Sequence, residues 1–212
     1  GETWVKLTSG FNSQLRSVFF TDSQIGYAAG NGVLKTTDGG LTWVHFSVGT
    51  NKYLYSICFT DADTGYAVGF GGIIVKTIDG GETWSTVLTD SAYHLQTVFF
   101  SDALTGYVVG IDSEGIIMKT TDGGLNWTTV NITPDKVLTS ITFTNANTGY
   151  ATGDGGIILK TIDGGNTWSA YSTVTTNPLF SIKFADSNTG YAVGWKGTII
   201  KTENAGASWQ IS

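Results

Sequence analysis

The chain has 212 residues, of which 41% are hydrophobic and 13% are charged, and its net charge is −6 at pH 7. This composition argues against a disordered chain, and the negative charge argues against nucleic acid or an acidic membrane surface as a partner. No run of 18 apolar residues occurs, so insertion into a membrane is not predicted. A single cysteine excludes a disulfide within the chain.

The first predicted element is an outer strand within residues 1–9, which carries Trp4. Five similar repeats follow, and together with the first strand they predict a single domain over residues 1–212. The later tryptophans that end each repeat motif are spaced by 41, 43, 41 and 41 residues. Such a constant period indicates one small unit that stacks on its neighbours to bury its apolar face. The repeats cover about 11–49, 50–90, 91–131, 132–174 and 175–212.

Each repeat contains four short segments that are rich in β-branched and aromatic residues and separated by Gly, Asp and Asn turns. In the second repeat they begin with Leu54 to Phe59, continue with the Gly65-Tyr66 segment and an aliphatic run that ends at Lys76-Thr77, and finish with the segment after Trp84. This pattern predicts strands. Four strands per repeat predict an all-β fold, a β-propeller of five four-stranded blades.

The tryptophan segment occurs six times, but the other three strands occur only five times. Two interpretations stay open. The N-terminal strand could join the last blade and close a five-bladed ring, or the chain could be an excerpt of a longer array. A redundant terminal strand would also permit self-association between copies.

The turn between the third and fourth strands has the sequence Asp-Gly-Gly in four repeats. Its carboxylate can accept backbone N–H groups, its glycines permit positive φ, and the following tryptophan can cover the hairpin. We therefore expect a structural role and no metal or cofactor, since no site has the acidic spacing of a calcium loop. The residues concerned are Asp38, Trp43, Asp79, Trp84, Asp122, Trp127, Asp163, Trp168, Asn204 and Trp209.

The pairing of Thr-Gly-Tyr-Ala-Val-Gly with Lys-Thr-x-Asp-Gly-Gly-x-Thr-Trp resembles the Asp-box, or BNR-like, propeller families, and is most similar to photosystem II stability/assembly factor-like repeats. The resemblance covers nearly the whole chain and implies the fold. Asp boxes also occur in sialidases, xyloglucan hydrolases and sorting receptors, so it implies no one activity. Sialidases of this kind hold a carboxylate with three arginines, whereas Arg16 is the one arginine here. The arginine-rich patch and seven blades expected of the assembly factors are absent from this sequence.

Two sets of loops differ in how much they vary between repeats. The loops before the first strand and between the second and third strands vary, while the other two are nearly identical. We call the end of the blades that carries the variable loops the variable face. Variable loops on a constant scaffold suit recognition, although surface loops also vary without a function. The second residue of each first strand also varies between the repeats, at Arg16, Tyr55, Gln96, Thr139 and Phe180. The candidate ligand-binding residues are Phe11, Arg16, Tyr53, Tyr55, Phe70, Tyr93, His94, Gln96, Asp112, Glu114, Asp154, Phe180, Trp195 and Lys196.

These features favour a non-enzymatic binding or scaffold module of an exported bacterial protein, located outside the cell, in the periplasm or at the cell surface, with a protein or glycan ligand. Neither His45 nor His94 lies in a nucleophile motif. One alternative is a glycoside hydrolase that uses carboxylates of the variable face, since that reaction requires two carboxyl groups at a defined separation. Another is a purely structural extracellular spacer. The carboxylates concerned are Asp112, Glu114, Asp135 and Asp154.

Overall fold

The computed structural model describes residues 3–111, 115–132 and 136–212. It divides into two compact units, residues 1–91 and residues 92–212. Across the described residues the strands form five four-stranded antiparallel sheets, and in each sheet the strands are paired in chain order. The predicted five blades are therefore confirmed. The prediction of a single domain stays a prediction. No helix among the described residues has the length and apolar character needed to cross a bilayer.

The first unit contains two blades. The first blade is made of β1 (Ser17–Phe20), β2 (Gly26–Gly30), β3 (Gly32–Thr36) and β4 (Val44–Phe46). The second is made of β5 (Leu54–Phe59), β6 (Gly65–Gly69), β7 (Ile74–Thr77) and β8 (Ser85–Leu88).

The second unit contains three blades. The third blade is made of β9 (His94–Phe100), β10 (Gly106–Ile111), β11 (Gly115–Thr120) and β12 (Thr128–Val130). The fourth has β13 (Leu138–Phe143), β14 (Gly149–Gly153), β15 (Ile158–Thr161) and β16 (Ser169–Tyr171), and the fifth has β17 (Leu179–Phe184), β18 (Gly190–Gly194), β19 (Ile199–Thr202) and β20 (Gln210–Ile211). Short 3-10 turns at Asp154–Gly156 and Trp195–Gly197 join the second and third strands of the last two blades.

The turn between the first two strands of each blade is held by one side chain. In the first blade, the Oδ1 atom of Asp22 accepts the backbone N–H groups of Gln24 and Ile25, both at 2.7 Å. Short polar side chains favour such turns because they satisfy backbone donors locally. The same pair of bonds recurs at Asp61, Asp102, Asn145 and Asp186.

The glycine that opens each second strand is required by packing. A Cβ atom on Gly65 would lie 2.6 Å from the ring of Phe59, on the strand next to it. The ring of Phe59 therefore packs directly on Gly65, where any side chain would clash with it. The tyrosine that follows the glycine, Tyr66, is fully buried.

The cores lie between consecutive sheets of each unit and are built from the middle strands. Each fully buried Leu or Ile contributes about 1.5–3 kcal/mol relative to exposure. In the first unit the buried cluster includes Tyr27, Val33, Leu54, Ile57 and Val75. In the second unit two clusters include Tyr107, Ile117, Leu138, Ile141, Leu159, Tyr150, Ile158, Leu179, Ile182 and Trp209.

The outer strand predicted within residues 1–9 is not found in the described part of that segment, residues 3–9. Residues 3–16 contain no strand, and the side chain of Trp4 is 92% exposed. The fourth strand of the last blade is β20, which pairs with Ile200 and Lys201 of β19. A strand requires a partner that accepts and donates its backbone hydrogen bonds, and the N-terminal segment finds none within its unit. Closure of a ring stays a prediction.

Candidate binding face

The residue that varies most within the first strand occupies a β-bulge. In β5 the pairing with β6 skips Tyr55, because Leu54 lies opposite Gly69 and Ser56 lies opposite Val68. A bulge leaves one residue without a ladder partner and redirects its side chain. Four blades show this irregularity, at Tyr55, Gln96, Thr139 and Phe180.

The sequence pattern identified this position as variable but did not reveal the bulge. A signal was available in the glycine that ends each second strand, since a glycine inside a strand often marks a bulge or a close backbone approach. Gly69, Gly110, Gly153 and Gly194 each pair with the leucine that precedes the bulged residue.

Hydroxyl side chains connect the first strands of neighbouring blades within each unit. In the first unit, the N–H of Ile57 donates to Ser17 Oγ at 3.3 Å. In the second unit, Thr97 Oγ1 donates to the carbonyl of Thr139 at 2.6 Å, and the N–H of Ile182 donates to Ser140 Oγ at 3.3 Å. These bonds set the first strands of consecutive blades side by side within each unit.

In the first unit the structure brings four candidate residues into two pairs. The guanidinium carbon of Arg16 lies 5.3 Å from the ring centroid of Tyr55, a cation–π distance. The N–H of Phe70 donates to the carbonyl of Tyr53 at 2.8 Å, so the two variable loops of the second blade meet. Arg16, Tyr53 and Phe70 are exposed. Phe11 is half-buried and stacks on His45 at 5.1 Å.

In the second unit the fifth blade has the same loop contact. The N–H of Trp195 donates to the carbonyl of Pro178 at 2.8 Å. Trp195 is exposed, as are Phe180 on the bulge and Lys196 in the 3-10 turn. An extended aromatic surface of this kind suits stacking on a ligand.

Lys196 has φ of 55°, in the left-handed region that glycine occupies at the equivalent Gly71 and Gly155. A non-glycine residue there costs about 1–2 kcal/mol. Strain of this kind often lies at functional sites.

The remaining candidates of the second unit are less exposed or lie outside the described residues. Tyr93, His94 and Gln96 are half-buried, as is Asp154 at the start of its 3-10 turn. Asp112, Glu114 and Asp135 fall outside the described ranges. The carboxylate pair of a glycoside hydrolase therefore stays a prediction.

The Asp-Gly-Gly turns carry a repeated hydrogen-bond network. Asp38 Oδ1 accepts the N–H of Thr42 at 2.9 Å, and Asp38 Oδ2 accepts the hydroxyl of Thr42 at 2.6 Å. The hydroxyl of Thr36 also donates to Asp38 Oδ1, at 2.8 Å. The Thr42 side-chain hydrogen bond is the main reason that the pKa of Asp38 falls to about 2.

The same carboxylate bonds recur in the next three repeats, at Asp79, Asp122 and Asp163, whose carboxyl pKa values also fall to about 2. In the fifth repeat, Asn204 Oδ1 accepts the N–H of Ser208 at 2.9 Å, and its amide donates to the Ser208 hydroxyl. The oxygens thus serve the turn. Within the described ranges, no group of three metal-binding side chains occurs.

Comparison with protein families gives one match. The profile described as "Photosynthesis system II assembly factor YCF48" matches residues 41–136 and 126–212. No curated protein sequence matches the chain significantly.

Several solved structures share the fold. "YCF48 bound to D1 peptide" superposes with a TM-score of 0.66 and 17% identity, covering 98% of this chain and 83% of the other. YCF48 from Cyanidioschyzon merolae superposes with a TM-score of 0.62 and 17% identity, covering 94% of this chain and 85% of the other. The GH74 enzyme of Niastella koreensis superposes with a TM-score of 0.74 and 20% identity, covering 89% of this chain and 36% of the enzyme. This chain therefore spans about a third of the enzyme's length. At these identities the likeness shows the fold alone.

Proposed function

Because this chain belongs to the photosynthesis system II assembly factor YCF48 family, we propose that it is a non-enzymatic propeller module that binds a segment of a partner protein. A relative in this family has been solved with a D1 peptide bound, which supports a peptide-like ligand. The proposed site is the variable face.

The observation that carries the proposal is the placement of the bulged residues. In four of the five blades the first strand presents a residue that is free of ladder pairing, and these residues differ in chemistry from blade to blade. Exposed aromatic residues occur in the adjoining loops, at Tyr53 and Phe70 in the first unit and at Trp195 in the second. Aromatic and arginine side chains are the types that dominate protein-binding hot spots.

The chemistry of the face suits a segment with apolar side chains and a carboxylate. In the first unit, Tyr53 and Phe70 offer exposed apolar area and Arg16 offers a guanidinium group next to Tyr55. In the second unit, Phe180 and Trp195 offer exposed apolar area. Arg16 can bind a carboxylate through two parallel hydrogen bonds. In the second unit, Lys196 offers a positive charge in a strained turn.

The opposite end of the blades provides a matched control. Its nearly identical loops also expose large apolar side chains, at Leu41, Ile78, Leu125 and Ile162. An exposed apolar residue is common on any protein surface. We therefore expect substitutions in these uniform loops to leave binding unchanged.

The test uses fluorescence anisotropy with a labelled D1 peptide and a scrambled peptide of the same composition. We expect the triple variant Tyr53→Ser, Tyr93→Ser, Trp195→Ser to weaken binding at least tenfold. The control variant Ile78→Ser, Leu125→Ser, Ile162→Ser should bind like the wild type. Equal loss in both variants, or wild-type affinity in the first, would place the ligand elsewhere.

The enzymatic alternative is tested in parallel. The GH74 structures share the fold, so incubation with xyloglucan and bacterial polysaccharides is the relevant assay. Release of reducing sugar by the wild type, lost in Asp154→Asn, would favour a hydrolase over a binding module. Glycan-array binding without turnover would favour a glycan ligand.

We also propose that the module acts outside the cytoplasm, as part of an exported bacterial protein. The repeats resemble those of many secreted and surface proteins of bacteria. Fractionation of the native host with an antibody to this chain tests the location, and a purely cytoplasmic signal would contradict it.

A further inference from the structure

We propose that three blades each hold one lysine ammonium group at the turn between the second and third strands, and that these groups bind the carboxylates of an acidic partner segment. The residues, called here the turn lysines, are Lys52, Lys136 and Lys196. The inference rests on the binding function proposed above and names the chemistry of the ligand. Each turn lysine is placed by contacts within its own blade.

In the second blade the lysine comes from the loop before the first strand. The Nζ atom of Lys52 donates to the carbonyl of Gly71 at 2.9 Å and to Thr89 Oγ1 at 2.8 Å. A Cβ atom on Gly71 would lie 2.8 Å from this Nζ atom, so the ammonium group lies directly on the turn. A lysine ammonium group has three N–H donors. One donor therefore remains for a ligand.

The fourth blade places a lysine in the same way. Lys136 precedes the leucine of its first strand by two residues, as Lys52 does in the second blade. A Cβ atom on Gly155, the equivalent of Gly71, would lie 3.9 Å from the Cε atom of Lys136. Because Nζ is bonded to Cε, the ammonium group of Lys136 also lies at the turn.

The fifth blade supplies its lysine by a different route. The position equivalent to Lys52 is Asn177, whose side-chain amide donates to Thr198 Oγ1 at 2.8 Å. The lysine is Lys196, which occupies the turn position that is glycine in the other two blades and has φ of 55°. Three different local arrangements, two of them from the preceding loop and one from the turn itself, thus give the same charge at the same place.

The turn lysines differ in their partners from lysines at the opposite end of the blades. There, Lys35 forms an ion pair with Glu82, and Lys201 forms one with Glu203. Across the ranges that the structure describes, none of the turn lysines forms an ion pair with a carboxylate of the chain. Their positive charges therefore remain available to a carboxylate from another molecule.

In the second unit the two turns that carry lysines are held by one linker, the segment between the fourth and fifth blades. Thr173 Oγ1 donates to the carbonyl of Gly156 at 2.7 Å, at the end of the turn of the fourth blade. Asn177 bonds to Thr198, directly after the turn of the fifth blade. A ligand therefore meets turns that are already ordered, which reduces the entropy lost on binding.

The residue before the glycine or lysine of each turn sets how strongly that turn should bind. It is Phe70 in the second blade and Trp195 in the fifth, so an apolar side chain of the ligand can pack beside the carboxylate that the lysine binds. In the fourth blade it is Asp154, whose negative charge opposes a carboxylate. We therefore expect Lys136 to contribute least.

Fluorescence anisotropy with two labelled peptides tests the chemistry of the ligand. One peptide consists of repeated Glu-Leu-Gly units, and its twin of repeated Gln-Leu-Gly units has the same length and no carboxylate side chains. We expect the wild type to bind the Glu peptide roughly tenfold more tightly than the Gln peptide, since each exposed charge pair contributes up to about fivefold. This preference should shrink as the salt concentration rises from about 50 to about 500 mM.

Substitution of the turn lysines tests the site. Lys196→Asn removes the charge but keeps a residue that tolerates positive φ, and it should weaken binding of the Glu peptide about two- to fivefold while leaving Tm unchanged. The triple variant Lys52→Met, Lys136→Met, Lys196→Asn should bind both peptides equally. The triple variant Lys35→Met, Lys160→Met, Lys201→Met removes the same charge from the opposite end of the blades and should keep the preference.

The outcomes separate this inference from the proposed function. A wild type that binds the D1 peptide but does not distinguish the Glu peptide from the Gln peptide overturns this inference alone, and so does equal loss of preference in the two triple variants. A wild type that binds neither the D1 peptide nor the Glu peptide contradicts both. Binding of polygalacturonate in place of the Glu peptide also overturns the inference, because the ligand would then be an acidic glycan.

Discussion

Removing one hydroxyl group from Tyr27 tests how the blades of a unit are held together. Tyr27→Phe keeps the stacked ring but deletes the hydrogen bond to the Gly80 carbonyl. Among the described residues, this carbonyl accepts no other hydrogen bond, because Lys35 bonds to Glu82. The buried acceptor is left unsatisfied, which costs about 1–3 kcal/mol.

The same change at Tyr107 has a different consequence. Tyr107→Phe deletes the bond to the Gly164 carbonyl, but Lys119 Nζ also donates to that carbonyl at 2.7 Å. The acceptor stays satisfied, so the loss is that of an ordinary hydrogen bond, about 0.5–1.5 kcal/mol. Differential scanning calorimetry should therefore show Tm falling by roughly 4–8 °C for Tyr27→Phe and roughly 2–4 °C for Tyr107→Phe.

A double variant supplies the control. In a Lys119→Met background, Tyr107→Phe also leaves its carbonyl without a donor, and its cost should rise to that of Tyr27→Phe. The reasoning is refuted if Tyr107→Phe in the wild-type background costs as much as Tyr27→Phe, or if Lys119→Met leaves the cost of Tyr107→Phe unchanged.

Three further predictions concern the Asp-box turns. The pKa of Asp38 and of its three equivalents is lowered from 3.8 to about 2, so their contribution to stability is present above pH 4 and is lost as the pH falls towards 2. The Tm of the wild type, measured from pH 6 to pH 2, should therefore fall below pH 4, and the Tm of Asp38→Asn should fall less steeply. A Tm that does not change with pH would contradict this. Ala205 has φ of 53° where the other turns have glycine, so Ala205→Gly should raise stability by about 0.5–1 kcal/mol after the entropy of glycine is subtracted. Gly164→Ala, with φ of 69° and a Cβ atom 3.2 Å from the Ala146 carbonyl, should lower it in the same denaturation assay.

The sequence was sufficient for the blades because each rests on local chemistry that is repeated. The turn at Asp22 and the Asp-box at Asp38 close their hydrogen bonds within four residues, and strand composition supplies the rest. A short period that is repeated five times therefore specified strand number and order.

The sequence did not indicate the environment in which each repeated residue lies. Tyr27 and Tyr191 occupy the same motif, yet one is buried and the other is exposed, because burial depends on whether another sheet covers the strand. The predicted N-terminal strand was wrong for the same reason. Trp4 lies in a strand-like sequence, but a strand exists only where a partner edge is available.

The variable face also combines features that the sequence predicted with features that only the structure revealed. Sequence variation identified Tyr55 and Phe180 as positions of interest. The bulges that direct these side chains come from the register between the first two strands of each blade, and the contact between Arg16 and Tyr55 comes from the packing of one blade on the next. The sequence by itself determined the repeating blade, since its turns and strand propensities are local. Only the tertiary structure decided which aromatic residues are exposed to bind a partner, since burial and register are set by long-range packing.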